Sequence, residues 1–166
     1  SAASDVYKRQ GKDEANKKAL EEIGIVIKPQ DGSAVADNLE TLYVSTAVED
    51  SIPDVKAALE KNIPIKKRSD LLAEIFHQYP YNIAVGGTSG KTTTTAMIGY
   101  ILDTLGKKPC GSNGGLLLNY TGRKGIPNII YNQGDICVIE ADESDGSIEK
   151  YHPYIALINN ITCLLY

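Results

Sequence analysis

The sequence lacks the features that mark secreted, membrane-spanning and nucleic-acid-binding proteins. Its three cysteines, Cys110, Cys137 and Cys163, are odd in number and widely spaced, so they fit neither a disulfide framework nor a CxxC metal site. No apolar run approaches the roughly 18 residues that a membrane helix needs, and no signal-peptide core opens the chain. A reducing cytosol is the simplest compartment that remains, so we expect a cytoplasmic protein.

Positive charge is also scarce. The densest basic cluster is Lys66-Lys67-Arg68, and 17 Lys+Arg against 21 Asp+Glu give a formal net charge of −4, which argues against a nucleic-acid binder. Apolar residues make up 42% of the chain and charged residues 23%, which is typical of a folded globular protein. The only methionine is Met97, so we expect a processed product or a fragment.

Apolar runs of strand length alternate with helical patterns along the chain. Tyr79-Pro80 marks a break between two lobes, and the runs at 136–139 and 155–158 are continuous, as in parallel strands covered on both faces. This alternation predicts an α/β architecture, with helices over residues 12–22, 51–61, 69–77 and 91–105 and strands over residues 25–27, 42–44, 63–65, 82–85, 129–131, 136–139 and 155–158. The helix over 91–105 is apolar nearly all round, so we expect it to be buried.

The most specific motif is Gly86-Gly87-Thr88-Ser89-Gly90-Lys91-Thr92, between an apolar strand and a long helix. In such a phosphate-binding loop, glycines let backbone N–H groups converge on phosphate oxygens, and the helix N-terminus adds partial positive charge. Lys91 would reach the β- and γ-phosphates, and the Thr92 hydroxyl would bind Mg²⁺. Val85 stands where the usual pattern has glycine, so the loop is one residue short. The alternative is a glycine turn before a helix whose first lysine opposes the helix dipole.

A second candidate group is Glu140-Ala141-Asp142-Glu143-Ser144-Asp145, directly after an apolar run. Its four carboxylates repel one another unless water or a cation neutralises them. Beside a phosphate loop, Glu140 at the end of a central strand is favoured as a Mg²⁺ ligand, with a solvated acidic turn as the alternative. Gly114-Gly115 could approach a ligand, but a plain turn is favoured, and Ser45-Thr46 is interpreted as a second phosphate contact or a capping pair.

Taken together, these residues resemble the Mur ligase family. Within it they are most similar to the branch that joins L-alanine to UDP-N-acetylmuramate and to the muropeptide-recycling relative of that branch. The matching stretches are VSTAV at 44–48, KKRSDLLAEIF at 66–76, IAVGGTSGKTTTTAMI at 83–98 and VIEADESDGS at 138–147. The shortened phosphate loop is also typical of that family.

The resemblance implies an incomplete Rossmann-like lobe over residues 11–79, which binds a UDP-sugar, and an incomplete P-loop ATPase lobe with a mainly parallel sheet over residues 80–162. It implies ATP-dependent amide formation in peptidoglycan biosynthesis or recycling, in which L-alanine or a short peptide is joined to UDP-N-acetylmuramate through an acyl phosphate. The implied cofactors are ATP and Mg²⁺. The implied partners are small molecules, with no nucleic acid or membrane.

The expected site follows from the motifs and the resemblance together. Lys91 is the expected catalytic residue, because its charge offsets the phosphates. Thr92 and Glu140 are the expected Mg²⁺ ligands. The expected nucleotide-binding residues are Gly87, Thr88, Ser89, Gly90, Lys91, Thr92 and Thr93, and the candidate substrate contacts are Ser45, Thr46, Asp142, Glu143 and Ser144.

Three departures from the family pattern bear on these expectations. Ser89 stands where the alanine-adding branch usually has histidine. The family's opening strand and glycine loop should precede residue 12, and residues 1–11 do not contain them. An Asp-His pair should follow INNIT, and Cys-Leu-Leu-Tyr stands there instead. We therefore expect an internal slice of a larger ligase, inactive by itself, with non-native ends at 1–10 and 163–166. The alternatives are a folylpolyglutamate synthase-like ligase and a non-catalytic P-loop nucleotide-binding module.

Overall fold

The computed structural model describes residue 14 and residues 16–45, 51–121, 126–142 and 146–161. The helices are α1 (residues 16–22), α2 (Pro53–Glu60), α3 (Arg68–His77) and α4 (Lys91–Thr104), with short 3-10 helices at Leu118–Tyr120 and Ser147–Lys150. The strands are β1 (Leu42–Val44), β2 (Ile65–Lys67), β3 (Tyr81–Gly86), β4 (Cys110–Ser112), β5 (Ile129–Ile130), β6 (Ile136–Glu140) and β7 (Ile155–Ile158). None of the helices in these ranges is long and apolar enough to cross a membrane.

The strands form two sheets, and the expected α/β class is confirmed. β1 and β2 make a small parallel pair, whereas the other five strands have the order β5-β4-β6-β3-β7. All neighbours in the larger sheet are parallel except β4 and β5. The register pairs Val85 on β3 with Glu140 on β6, and Gly86 with Ile158 on β7. The carboxyl ends of three parallel strands therefore lie side by side at one edge of the sheet.

The main core lies between the five-stranded sheet and α3. Phe76 of α3 is fully buried there and packs edge-on against Tyr151, with ring centroids 5.5 Å apart. The other buried members of this cluster come from α3, the central strands and the segment after β6, and they are Ala73, Ala84, Cys137, Ile139 and Ala141. Lys150 also forms an ion pair with Asp70, at 2.6 Å. This pair is partly exposed, so packing rather than charge holds α3 on the sheet.

α4 is not buried in the way that its composition predicts. Its small residues face the protein: Thr95 and Gly99 are buried, and a Cβ at Gly99 would lie only 2.5 Å from the side chain of Ile130. Three of the large apolar side chains that we expected to be covered, Met97, Ile101 and Leu105, are instead exposed, whereas Ile98 and Leu102 are half-buried. The expectation was wrong because close approach of the helix backbone to the sheet selects small residues for the contact face.

The strand expected at residues 25–27 is also absent. These residues have no regular secondary structure, and Val26 is 77% exposed. Among the described residues, β1 pairs only with β2, so no neighbouring strand bonds to the backbone of this apolar trio. The predicted strand over 63–65 lies two residues later, as β2, while Ile63 packs with Val35 and Ala58 in a small separate core.

Two cysteines lie side by side in the larger sheet. Cys110 on β4 is the direct register partner of Cys137 on β6, and both are free thiols. A hydrogen bond with Cys137, aided by one with the Tyr79 hydroxyl, outweighs burial and lowers the pKa of Cys110 to about 6. The same hydrogen bond and burial raise the pKa of Cys137. The hydrogen bond between the two thiols therefore favours ionisation of Cys110 over ionisation of Cys137.

We expect Phe76→Ala to lower the free energy of unfolding by roughly 3–5 kcal/mol, because it leaves a cavity in the main core. Ile75→Ala is the matched control, since Ile75 is the preceding residue of the same helix and is 37% exposed. It should cost about 1 kcal/mol. Guanidinium unfolding followed by far-ultraviolet circular dichroism measures both, and equal losses would contradict this account of the core.

We expect iodoacetamide to alkylate Cys110 with a pH midpoint near 6, since the thiolate is the nucleophile and it is protonated below that pH. An ordinary thiol has its midpoint at about 8.5. Peptide mass mapping of a Cys163→Ser chain measures the rate at each pH. Cys137→Ala removes the main hydrogen-bond donor and should move the midpoint upward; a wild-type midpoint at pH 8 or above would contradict the assignment.

Candidate functional site

The loop between β3 and α4 depends on two glycines. Gly87 has φ 127° and Gly90 has φ 82°, in the left-handed region that other residues seldom adopt. Space is equally restrictive. A Cβ at Gly87 would lie 3.0 Å from the backbone oxygen of Asn160, and one at Gly90 would lie 3.0 Å from Nδ2 of Asn159. The predicted glycine loop is therefore present, and it is held against the end of β7.

Lys91 and Thr92 form the first turn of α4, directly after this loop. The first amides of any α-helix lack carbonyl partners one turn earlier, so this end of α4 presents N–H groups and partial positive charge. Nζ of Lys91 donates a hydrogen bond to the carbonyl oxygen of Gly87 at 2.7 Å. The ammonium group therefore lies across the loop, beside the amides that could bind an anion.

Glu140 ends β6 next to this helix start. The hydroxyl of Thr92 donates to Oε1 of Glu140 at 2.9 Å, and the backbone N–H of Gly114 donates to Oε2 at 2.9 Å. The structure thus brings together the two residues predicted as Mg²⁺ ligands, although 48 positions separate them in the sequence. The pairing of Val85 with Glu140 explains the contact, because α4 begins six residues after Val85.

The donor atoms of this pair fit Mg²⁺, which prefers oxygen ligands and usually takes only one or two from the protein. Within the described ranges, no group of three or more His, Cys, Asp and Glu residues could hold a metal ion. Thr92 and Glu140 could therefore hold Mg²⁺ together with phosphate oxygens and water, rather than in a cage made by the protein alone.

The turn predicted at Gly114-Gly115 is in direct contact with Glu140 and Thr92. A Cβ there would lie 2.7 Å from Oε2 of Glu140, and one at Gly115 would lie 3.0 Å from Cγ2 of Thr92. The buried Asn113 shapes this turn, since its side-chain amide donates to the carbonyl oxygen of Gly115 at 3.0 Å. The two glycines therefore let β4 and its following turn close around the carboxylate.

Sequence reasoning gave no role to Asn159 and Asn160, which follow β7 directly. Oδ1 of Asn160 accepts from the N–H of Ser89 at 3.1 Å, and Nδ2 of Asn159 donates to the hydroxyl of Thr94 at 3.0 Å. The sequence offered one weak signal for them, since two polar residues end an apolar run of strand length. Only the placement of β7 beside β3 shows what they contact.

The candidate substrate residues lie elsewhere or outside the described ranges. Ser45 is exposed and follows β1, in the two-stranded sheet rather than in the sheet that carries the loop. Asp142 is exposed and follows β6 by two residues. Thr46, Glu143 and Ser144 fall outside the described residues. The structure therefore brings the nucleotide and metal candidates together and leaves the substrate candidates as predictions.

Comparison with known proteins identifies the family. A model of the Mur ligase middle domain matches residues 85–163, and a model of the Mur ligase family catalytic domain matches residues 3–80. The chain belongs to the Mur ligase family. Both models describe Mur ligases, so the comparison favours this family over the folylpolyglutamate synthase alternative.

The most similar relatives include two enzymes named UDP-N-acetylmuramate–L-alanine ligase. The protein of Caulobacter vibrioides is 37% identical and that of Bartonella henselae 39% identical, each over 158 residues, 93% of this chain and 32% of the relative. The solved UDP-N-acetylmuramate–alanine ligase of Thermotoga maritima has a TM-score of 0.75 and 29% identity, and the match covers 87% of this chain and 33% of that one.

A murein peptide ligase from Psychrobacter arcticus has a TM-score of 0.73 and 25% identity over 88% of this chain and 35% of its own. The alanine-adding and the murein-peptide ligases thus both share the fold of this chain. In each comparison the chain spans about a third of the length of the Mur ligase that it matches.

Proposed function

We propose that this chain is the nucleotide-binding part of an ATP-dependent ligase that joins L-alanine or a short peptide to UDP-N-acetylmuramate in peptidoglycan synthesis or recycling. The observation that carries the proposal is the convergence of a glycine loop, the start of α4, Lys91 and the Thr92–Glu140 pair at one edge of a parallel sheet. The names of the related Mur ligases support the acid and amine substrates. The cytoplasmic location stays a prediction.

The phosphate groups of ATP fit the loop by charge and by hydrogen bonding. Gly87, Thr88, Ser89, Gly90 and Thr93, together with Lys91 and Thr92, are the proposed nucleotide-binding residues. The amides at the end of the loop and at the start of α4 would donate to the phosphate oxygens. The Lys91 ammonium would exchange its bond with the Gly87 carbonyl for a stronger one with a phosphate oxygen, because a charged acceptor strengthens the hydrogen bond.

Mg²⁺ fits beside the same phosphates, where Thr92 and Glu140 would hold it. When bound, the ion would neutralise negative charge on the β- and γ-phosphates. The contribution of the chain is geometric: Gly114 donates to one carboxylate oxygen of Glu140, which keeps the other oxygen directed at Thr92. A carboxylate oriented in this way loses little freedom when it binds a cation.

The proposed reaction has two steps. A carboxylate oxygen of the muramyl group attacks the γ-phosphorus, ADP leaves, and an acyl phosphate forms. The amine then attacks the acyl carbon, inorganic phosphate leaves with the acyl C–O electron pair, and the amine loses its proton. Phosphoryl transfer depends on alignment and charge stabilisation more than on a covalent helper, and Lys91 would supply that charge.

The two regions of the chain have different proposed tasks. Residues 80–162 would carry the ATP site, and residues 11–79 would form part of the lobe that binds the UDP-sugar. Ser45, Thr46, Asp142, Glu143 and Ser144 remain candidate contacts to substrate. Because the chain spans about a third of its relatives, we propose that the full-length enzyme performs the reaction and that this part alone is inactive.

We expect the full-length ligase to release phosphate from ATP only when UDP-N-acetylmuramate and the correct amine are both present. Stimulation by L-alanine would identify an alanine-adding enzyme, and stimulation by a tripeptide alone would identify a recycling enzyme.

Lys91→Ala should lower kcat/KM at least a hundredfold, since it removes the charge beside the transferred group. Lys107→Ala is the matched control after the end of α4, and full turnover by Lys91→Ala would overturn the role of Lys91.

We expect Mg²⁺ to tighten the binding of a fluorescent ATP analogue to the wild-type chain, and Glu140→Gln to remove most of that gain. The amide is nearly the same size as the carboxylate but lacks its negative charge, which favours the cation. Titrations with Mg²⁺ and with a chelator give the ratio of dissociation constants. Glu149→Gln, an exposed position, should keep the wild-type ratio; the same ratio for Glu140→Gln would contradict the metal assignment.

A further inference from the structure

We propose that Asn160 is a positioning residue of the phosphate loop: its carboxamide orients the Ser89 peptide groups so that the N–H of Gly90 faces the phosphates. This inference rests on the proposed ATP site and extends it to a residue at the end of a different strand. Asn160 lies 71 positions after Ser89 in the sequence, and the pairing of β7 with β3 brings the two together.

The contacts of Asn160 with Ser89 engage both sides of one residue. Oδ1 of Asn160 accepts from the N–H of Ser89 at 3.1 Å. Nδ2 donates to the carbonyl oxygen of Ser89 at 3.1 Å and lies 3.0 Å from its hydroxyl oxygen. A side-chain amide that pairs with both the N–H and the C=O of one residue acts like a neighbouring strand, so it fixes the two peptide planes that meet at Ser89.

The backbone of Asn160 holds the preceding part of the loop. Its carbonyl oxygen accepts from the N–H of Thr88 at 3.2 Å. In a trans peptide the N–H and C=O groups point in opposite directions, so the Gly87 carbonyl is directed away from Asn160. That carbonyl accepts the hydrogen bond from the Lys91 ammonium at 2.7 Å. The opposed directions at this peptide group are thus seen directly.

The same rule gives the orientation of the next amide. The carbonyl of Ser89 is directed at Nδ2 of Asn160, so the N–H of Gly90, in the same peptide plane, is directed away from Asn160. Gly90 immediately precedes the first turn of α4, where amides and Lys91 could meet a phosphate. Nδ2 of Asn159 also donates to this carbonyl, at 3.4 Å, so without the Asn160 carboxamide only that longer bond would hold the peptide group, and binding would have to order it again.

The first test is hydrogen exchange of the nucleotide-free chain, which needs no ATP binding. In the wild type, the Ser89 amide should exchange more slowly than an unprotected amide. Asn160→Ala should speed its exchange about tenfold, while the Thr88 amide stays protected because its acceptor is the backbone oxygen of residue 160. An unprotected wild-type Ser89 amide, or unchanged exchange in the variant, would overturn the proposal.

The second test is phosphate affinity. Asn160→Ala should bind a fluorescent ATP analogue about tenfold more weakly, and inorganic tripolyphosphate should compete with equally reduced affinity, since the loss concerns phosphate-binding amides. Asn132→Ala is the matched control, because the Asn132 side chain also joins separate segments, through Asp103 and the carbonyl of Pro109, but away from the loop. It should lower stability and leave affinity unchanged. Affinity of Asn160→Ala within twofold of wild type would overturn the proposal.

The two tests also cover a variant that does not fold and a wild-type chain that does not bind phosphate compounds. If Asn160→Ala does not fold, Asn160→Ser replaces it in both tests, because a hydroxyl is too short to reach both groups of Ser89. If the wild-type chain binds neither the ATP analogue nor tripolyphosphate, the proposed ATP site fails. The exchange test then decides the orientation of the loop independently.

Discussion

The parallel pairing of β3 with β6 is the constraint on which the site depends. It places Val85 opposite Glu140, so the strand that leads into the glycine loop ends beside the carboxylate. Since α4 begins directly after that loop, the hydroxyl of Thr92 reaches Glu140 at 2.9 Å. A shift of the register by one residue would reverse the face of the sheet on which Glu140 lies and separate the pair. Backbone hydrogen bonds, rather than any single side chain, therefore assemble the site.

The loop itself is held in an unusual conformation from several directions. Gly87 and Gly90 adopt positive φ values that would be strained for other residues. The segment after β7 packs so closely that neither glycine could carry a side chain without displacing Asn159 or Asn160. Such a conformation persists only where its surroundings enforce it. The conformational entropy of the loop is lost during folding rather than on binding, so its hydrogen-bond donors would already be aligned for a phosphate group.

Much of this was predictable from local patterns. The strand, glycine loop and helix beginning with Lys91 are adjacent in sequence, so their order could be inferred directly. Glu140 could be inferred because it ends an apolar run. The predictions that failed needed non-local information. The residues at 25–27 are apolar enough for a strand, but a strand requires a neighbouring strand to pair with. The apolarity of α4 on all sides could not indicate that Gly99, rather than Met97, faces the sheet.

The sequence by itself determined the α/β class and the glycine loop before α4, and it marked Lys91, Thr92 and Glu140 as candidate site residues, because each of these patterns is local in the chain. Only the tertiary structure decided that Asn160 forms hydrogen bonds with Ser89 and that Gly114 orients Glu140. Both contacts follow from the strand order β4-β6-β3-β7, which brings chain segments far apart in sequence to one edge of the sheet. Strand order arises from the packing of the whole sheet, and no local pattern of residues records it.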